Sequence, residues 1–473
     1  MKQNKTFFSM KTWCLFTFLM LGTNGNWAQT SPILTYEDFL NQVRNYHPLA
    51  RQAKLQTEKG AAYVLKQKGA FDPNISGNID QKYFNDSKYY SLLNGALKIP
   101  TWLGISVESG YDQNNGYRLN PQNYTPDAGL WYAGITVPLG KGLFMDQRRA
   151  DLKQAKIYQK SSLADQRQMV NELLFEAAVG YLDWFKSYYK MKIYEEMHLT
   201  AQNRFEAIKQ SVKYGDRAMI DTLEASIQVQ NRYFSYQQAK LENWNDRELI
   251  AVFLWNENFI PLELDENTLP FSRTELTTTP FDLSYQSLKD SILQLHPTIL
   301  NARYKIDYLK VSNRLRKENL KPKLDLKYNA LSEPIGGDIL SNYSINNYKW
   351  GAQLSMPLFL RKERGELKLS ELEIQEQEYN LSNKMQLIEY KINVAQNKWS
   401  TTHEQTILYT QTVEDYKTLV QSEQQLLFNG ESSLFLINSR EMSYIEAQLK
   451  LLETQTENYK SRIYFQYALG NLN

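Results

Sequence analysis

The sequence predicts an internally duplicated protein of mixed α and β structure, with long helical coiled-coil hairpins joined to antiparallel β-strands. Three observations carry the prediction. Motifs recur at fixed spacing in both halves, two long stretches lack proline, and short segments between them alternate polar and apolar residues.

The duplication comes first, because a fixed internal period governs everything that follows. His47-Pro48 recurs as His296-Pro297, 249 residues later, and Pro73 recurs at the same offset as Pro322. Val137-Pro138-Leu139 has its counterpart in Met356-Pro357-Leu358. Arg149 and Gly215 are 66 residues apart, and so are Arg364 and Gly430. The repeats therefore fall at about 29–272 and 273–473. They differ between the prolines: Pro73 to Pro138 is 65 residues and Pro322 to Pro357 is 35, so the first copy carries 65 − 35 = 30 more. Hairpin tips and loops tolerate such insertions best.

Residues 139–260 and 358–473 contain no proline and are rich in Gln, Glu, Lys, Leu and Ala, which favour helix. Apolar residues recur every three or four positions, as in Leu173, Leu174, Ala177, Ala178, Tyr181, Leu182 and Phe185. A helix of some 66 residues would run about 100 Å at 1.5 Å per residue, a length that needs coiled-coil packing to bury its stripe. Gly215 and Gly430 are placed to reverse each helix, giving hairpins over 149–255 and 364–470. The returning arms are shorter, and stretches near 35–70 and 283–319 supply the missing length. There Pro48 and Pro297 suit a helix N1 position, so a short helix stacks on the end of each returning arm.

The strand candidates lie at 73–139 and 322–358. Asn74–Tyr83 and Lys323–Tyr328 alternate with period two, and 131–139 and 348–358 are return strands. Segments of about ten alternating residues ended by aromatics fit a membrane β-strand. Trp102, Trp131, Tyr132, Tyr348 and Trp350 suit an interfacial aromatic belt. A small soluble sheet capping a helical bundle is the other reading. A membrane sheet cannot leave an open edge, and two hairpins give four strands where a barrel needs about eight. Four or more strands per protomer therefore complete a barrel only in an oligomer. Three copies would supply twelve strands. The extra segment around 97–107 reads as another hairpin, either within the wall or outside it.

Residues 1–28 read as a secretory signal peptide: Lys2, Lys5 and Lys11, then the apolar run 13–21, then Ala28. Cys14, the one cysteine, lies within it, so the remainder can form no disulfide or thiolate site. Removing three lysines leaves 54 − 3 = 51 basic against 52 acidic residues, which gives no basis for binding nucleic acid. Mean hydropathy is −0.55, unlike that of a multi-span helical membrane protein. His47, His198, His296 and His403 do not pair at metal-ligand spacing, and motifs of hydrolases, nucleotide-binding loops and zinc proteases are absent. The sequence thus points to no enzyme, cofactor or metal.

With the duplication, with Val137-Pro138-Leu139 followed by Arg149, Leu152 and Ala155, and with Tyr214-Gly215 followed by Asp221, Leu223, Glu224 and Ala225, the chain resembles the TolC-like outer-membrane efflux proteins over its whole mature length. The resemblance implies a homotrimer: a twelve-stranded barrel in outer-membrane lipid, continued by an α-helical tunnel across the periplasm. It implies docking to a periplasmic adaptor, and through it to an inner-membrane pump, at the tip turns Tyr214, Gly215, Asp216 and Phe428, Asn429, Gly430, Glu431. Some family members constrict the tip with acidic rings six and nine residues after the second-copy glycine. Leu436 and Ser439 stand there in this chain. Asp221 and Glu224 hold the first-copy positions and are the gate candidates; a solvated helix face is the alternative. A passive exit duct is the leading function, with a periplasmic coiled-coil scaffold without a pore as the alternative.

Overall fold

The computed structural model describes residues 32–276, 279–281, 293–333 and 344–472. The expected signal peptide and residues 283–292 lie outside them. In chain order the elements are β1 (Ile33–Leu34), α1 (Tyr36–Tyr46), α2 (Pro48–Lys68), β2 (Asn74–Phe84), β3 (Ser87–Pro100), β4 (Ser106–Asn115), β5 (Leu130–Pro138), α3 (Gln147–Lys213) and α4 (Met219–Phe253). Then follow β6 (Leu269–Pro270), α5 (Pro297–Asn319), β7 (Lys323–Ser332), β8 (Tyr348–Ser355), α6 (Arg361–Phe428) and α7 (Leu434–Ala468).

The long helices α3 and α6 hold 67 and 68 residues, about 100 Å each by the helical rise. Each folds back on a 35-residue partner, α4 or α7. Buried positions on α6 include Ile392, Trp399, Thr406, Val413 and Val420, a strict seven-residue repeat, as coiled-coil packing requires. On the strand side α2 and α5 lie beside α3 and α6. The His47 ring packs on Phe253 and Trp255 at the end of α4, so α2 continues the line of α4. Likewise α5 begins where α7 ends: a Cβ on Gly470 (φ +70°) would stand 2.6 Å from Pro297.

The two histidines explain the recurring His-Pro. Each is the N-cap of a helix whose first residue is proline, and its Nδ1 accepts the backbone N–H two residues on, from Leu49 and Thr298, each at 3.2 Å. That role needs a neutral ring. Burial, aided by Lys391, lowers the His296 pKa from 6.5 to about 4. Above pH 7 folded and unfolded chains are both neutral at this site. As pH falls through 6.5 the unfolded chain takes up a proton that the folded one refuses until about pH 4. Stability should therefore fall on acidification, by up to about 3 kcal/mol from this residue. Denaturant titrations at pH 7.5 and pH 4.5 measure it. His296→Asn, a cap without the titration, should flatten the slope, and an unchanged slope would refute the assignment.

The largest core cluster fastens the halves together. Phe39 of α1, Tyr181, Trp184 and Phe185 of α3, Phe271 of the inter-repeat segment and Leu452 of α7 are all within it. Next to it β1 pairs in parallel with β6, Ile33 opposite Leu269.

Among the described residues the remaining strands form one antiparallel sheet in the order β2-β3-β4-β5-β7-β8. The extra segment joins this sheet. It supplies β3 and β4, inserted in line between β2 and β5, so the sheet of one copy has six strands, within the expected four or more. The β2–β3 connection is a two-residue turn with Asn85 and Asp86 at φ 52° and 53°, as a type I′ hairpin demands. No described helix is long and apolar enough to cross a membrane.

Candidate functional site

The sheet has two unlike faces, because neighbouring residues of a strand point to opposite sides. The pairings Lys98↔Glu108, Glu108↔Gly134 and Gly134↔Asn329 place Lys98, Glu108 and Asn329 on one face. That face also carries Asn94, Asp112, Asn114, Lys327 and Lys349. Glu108 bonds Lys98 Nζ at 2.7 Å and Lys327 Nζ at 2.6 Å, bridging β3, β4 and β7 across β5. Gly134 makes room: a Cβ there would stand 2.0 Å from the Tyr328 carbonyl oxygen. The opposite face carries Ile75, Ile79, Leu93, Leu97, Val107, Ile135, Leu326 and Leu354 by the same registers. All but Leu97 are exposed, an apolar surface that water does not favour.

The aromatics divide accordingly. Trp131, Tyr348 and Trp350 lie on the apolar face at the ends of β5 and β8 far from the helices, where Trp131 packs on Tyr111 at 5.0 Å and Tyr348 on Tyr328 at 6.0 Å. Trp102 sits at the helix end, in the β3–β4 turn, stacked on Phe71 at 4.3 Å. Tyr132 does not join them. It follows Trp131 in the same strand and so lies on the polar face with Glu108 and Asp112, a parity the belt expectation overlooked.

The β4–β5 connection, residues 116–129, folds over the polar face. Asn114 donates through Nδ2 to the Asn123 carbonyl at 3.0 Å and through its backbone N–H to Thr125 Oγ1 at 2.9 Å. Residues 122–125 then stand over Asn94, Asp112, Lys327 and Asn329.

At the other end of the molecule the tip turns are built alike. Gly215 and Gly430 have φ of 85° and 78°. Gly215 N–H donates to Val212 and Asp216 N–H to Ser211; Gly430 donates to Leu427 and Glu431 to Leu426. This paired pattern closes a helix at a left-handed glycine. Tyr214 is 75 % and Phe428 92 % exposed, so each tip presents an unpacked ring beside Asp216, or beside Asn429 and Glu431.

Asp221 and Glu224 are only partly open. Asp221 lies 3.6 Å from Arg217. Glu224 accepts from Asn438 Nδ2 of α7 at 3.2 Å. Beside them runs a polar seam that the sequence reading missed. Arg204 of α3 makes a two-pronged contact with Glu441 of α7, and Arg232 of α4 is buried against Met442 Sδ at 3.4 Å. Burial depresses the Arg232 pKa, and Glu441 opposes that shift. The signal was available: Arg232 lies seven residues from both Ala225 and Ala239, in the buried stripe of α4. Among the described residues no cluster of His, Cys, Asp or Glu is placed to hold a metal.

Residues 288–471 match the family model described as outer membrane efflux protein. The match spans 184 of the 473 residues. It covers the second repeat, from just before α5 to just past α7. No curated protein matches the chain. Solved structures extend the likeness of fold beyond the matched residues to the first repeat. The open state of the Neisseria gonorrhoeae MtrE outer membrane channel is 15 % identical with a TM-score of 0.66, over 93 % of this chain and 89 % of that one. The Campylobacter jejuni CmeC outer membrane channel gives 14 % and 0.62, over 92 % and 85 %. The outer membrane protein VceC of Vibrio cholerae gives 11 % and 0.62, over 92 % and 96 %. The chain thus shares its fold with these outer membrane channel structures.

Proposed function

We propose that the chain is one protomer of a trimeric outer-membrane channel, the passive exit duct of a tripartite efflux or type I secretion system. The observation that carries this is a sheet with one polar and one apolar face, joined directly to helical hairpins about 100 Å long. The apolar face meets outer-membrane lipid, the polar face lines the duct, and the hairpins extend it through the periplasm. A scaffold without a pore would have no use for the exposed apolar face. The tip turns at Tyr214–Asp216 and Phe428–Glu431 dock a periplasmic adaptor, which couples the duct to an inner-membrane pump. Outer-membrane fractionation with electron microscopy of the detergent-purified protein tests the reading. Elongated threefold particles from the outer-membrane fraction are expected, and recovery only as a soluble periplasmic monomer would overturn it.

The same reading places Asp221 and Glu224 around the periplasmic end of the lumen, where carboxylate rings favour cations. The double variant Asp221→Asn, Glu224→Gln should lower cation selectivity and raise single-channel conductance in planar bilayers. Unchanged values for both would remove these residues from the gate.

A further inference from the structure

Resting on the channel reading, we infer that the closed barrel has eighteen strands, six from each of three copies, and that β2 of one copy pairs with β8 of the next. Three observations converge on it.

The first is the free edges. β2 and β8 are the ends of the strand order. In lipid neither can keep its N–H and C=O groups unpaired. The occupant that fits is a second copy of this chain. β2 leaves the helical end after α2, and β8 returns to it before α6, so the two edges run antiparallel when copies stand side by side. An even number of strands per copy lets the alternation continue around the ring.

The second is the match of faces and charge along that seam. Asn74, Asn78 and Asp80 of β2 share the polar face with Lys349, Gly351 and Ser355 of β8, by the registers through the sheet. If the helix-side ends align, Asn74 opposite Ser355, then six residues further along each strand Asp80 stands opposite Lys349. An acid on one edge meets a base on the other, and Ile75 and Ile79 continue the apolar face of Leu354 and Trp350.

The third is circumference. Four helices, α2, α3, α5 and α6, stand side by side beneath the six strands. Helices packed at 8–10 Å occupy roughly 36 Å of perimeter per copy. Strands spaced about 4.8 Å apart and tilted near 40° each occupy about 6 Å, so six span roughly 38 Å and four only about 25 Å. Six strands therefore continue the tunnel at constant width, whereas four would neck it. The β3–β4 turn is also seated at the wall's base. Trp102 stacks on Phe71 after α2, and a Cβ on Gly104 would meet the Arg149 guanidinium of α3 at 2.7 Å. The inserted pair thus fills the wall between those two helices.

Cysteine variants of the full-length protein in outer membranes test this. Asp80→Cys combined with Lys349→Cys, and the same Lys349→Cys with Asn78→Cys or Lys82→Cys, bracket the register. At least one pair should give oxidatively cross-linked dimers and trimers; none from all three overturns the seam. Single variants then locate the inserted hairpin. Asn94→Cys and Asp112→Cys should react with a membrane-impermeant maleimide, and Leu93→Cys and Leu97→Cys should stay at least tenfold less reactive. Reactivity on both faces in an intact trimer would put the hairpin outside the wall and overturn the eighteen-stranded barrel, while leaving the channel reading in place. A soluble monomer would overturn both.

Discussion

Replacing Glu441 by leucine should lower stability by about 3–5 kcal/mol, the usual consequence of removing one partner from a buried ion pair. Glu441 is 7 % exposed and Arg232 5 %. Glu441 takes both prongs of the Arg204 guanidinium and is the main carboxylate acting on Arg232. Without it a buried and a half-buried guanidinium remain in the seam between the hairpins without their main carboxylate. The loss is therefore a stranded-charge effect, not the net worth of a salt bridge. The triple variant Arg204→Met, Arg232→Leu, Glu441→Leu should recover most of it, since a well-packed apolar replacement of a buried triad is often neutral or better. Thermal or guanidinium unfolding of the detergent-purified protein measures both. A single-variant loss below about 1 kcal/mol would show that the seam is hydrated and that the argument fails.

The second large effect is expected at Tyr181. It is fully buried, with rings of Phe39, Trp184 and Phe271 around it at 5.3–5.8 Å. Its hydroxyl donates to the Leu34 carbonyl and accepts the Phe271 N–H at 3.2 Å. One side chain therefore ties the N-terminal segment and the inter-repeat segment to α3. Tyr181→Ala should cost about 3–5 kcal/mol through the cavity. Tyr181→Phe should cost about 1–3 kcal/mol, because it leaves the two backbone groups unpaired while keeping the ring. Equal losses in the two variants would show that packing contributes nothing beyond the hydroxyl, contrary to this account.

Much of the helical architecture was legible because it is local or periodic. The 66-residue spacing from Arg149 to Gly215 and from Arg364 to Gly430 sits where α3 and α6 end, and the glycines hold the left-handed turns. Arg149 itself was legible only as a mark. In the folded chain its backbone N–H donates to the N-cap Asp146 at 2.9 Å and its guanidinium to the Leu143 carbonyl at 3.1 Å, which fixes the strand-to-helix corner. The inserted strands were harder. β4 reads Ser-Val-Glu-Ser-Gly-Tyr-Asp-Gln-Asn-Asn, with so few apolar residues that its period is faint and its composition resembles a loop. Ser106, Glu108, Asp112 and Asn114 occupy the polar face, but Ser109 and Gln113 interrupt the apolar face beside Val107 and Tyr111, so neither parity of the strand is uniformly apolar. Tyr132 was misplaced for a related reason: composition marks an aromatic but only register tells its face. The Arg204–Glu441–Arg232 seam joins residues more than 200 positions apart, which no local pattern reveals beyond a charge standing in a buried stripe.

In the proposed duct, the fold of the β4–β5 connection has a consequence for the outer rim of the barrel. Of the external connections among the described residues, β2–β3 is a two-residue turn and 116–129 is drawn inward by Asn114. Little chain from either projects beyond the wall. Neither connection offers a protruding loop to a large binding partner. The proposed duct would, by the same fourteen residues, keep a low profile at its outer rim.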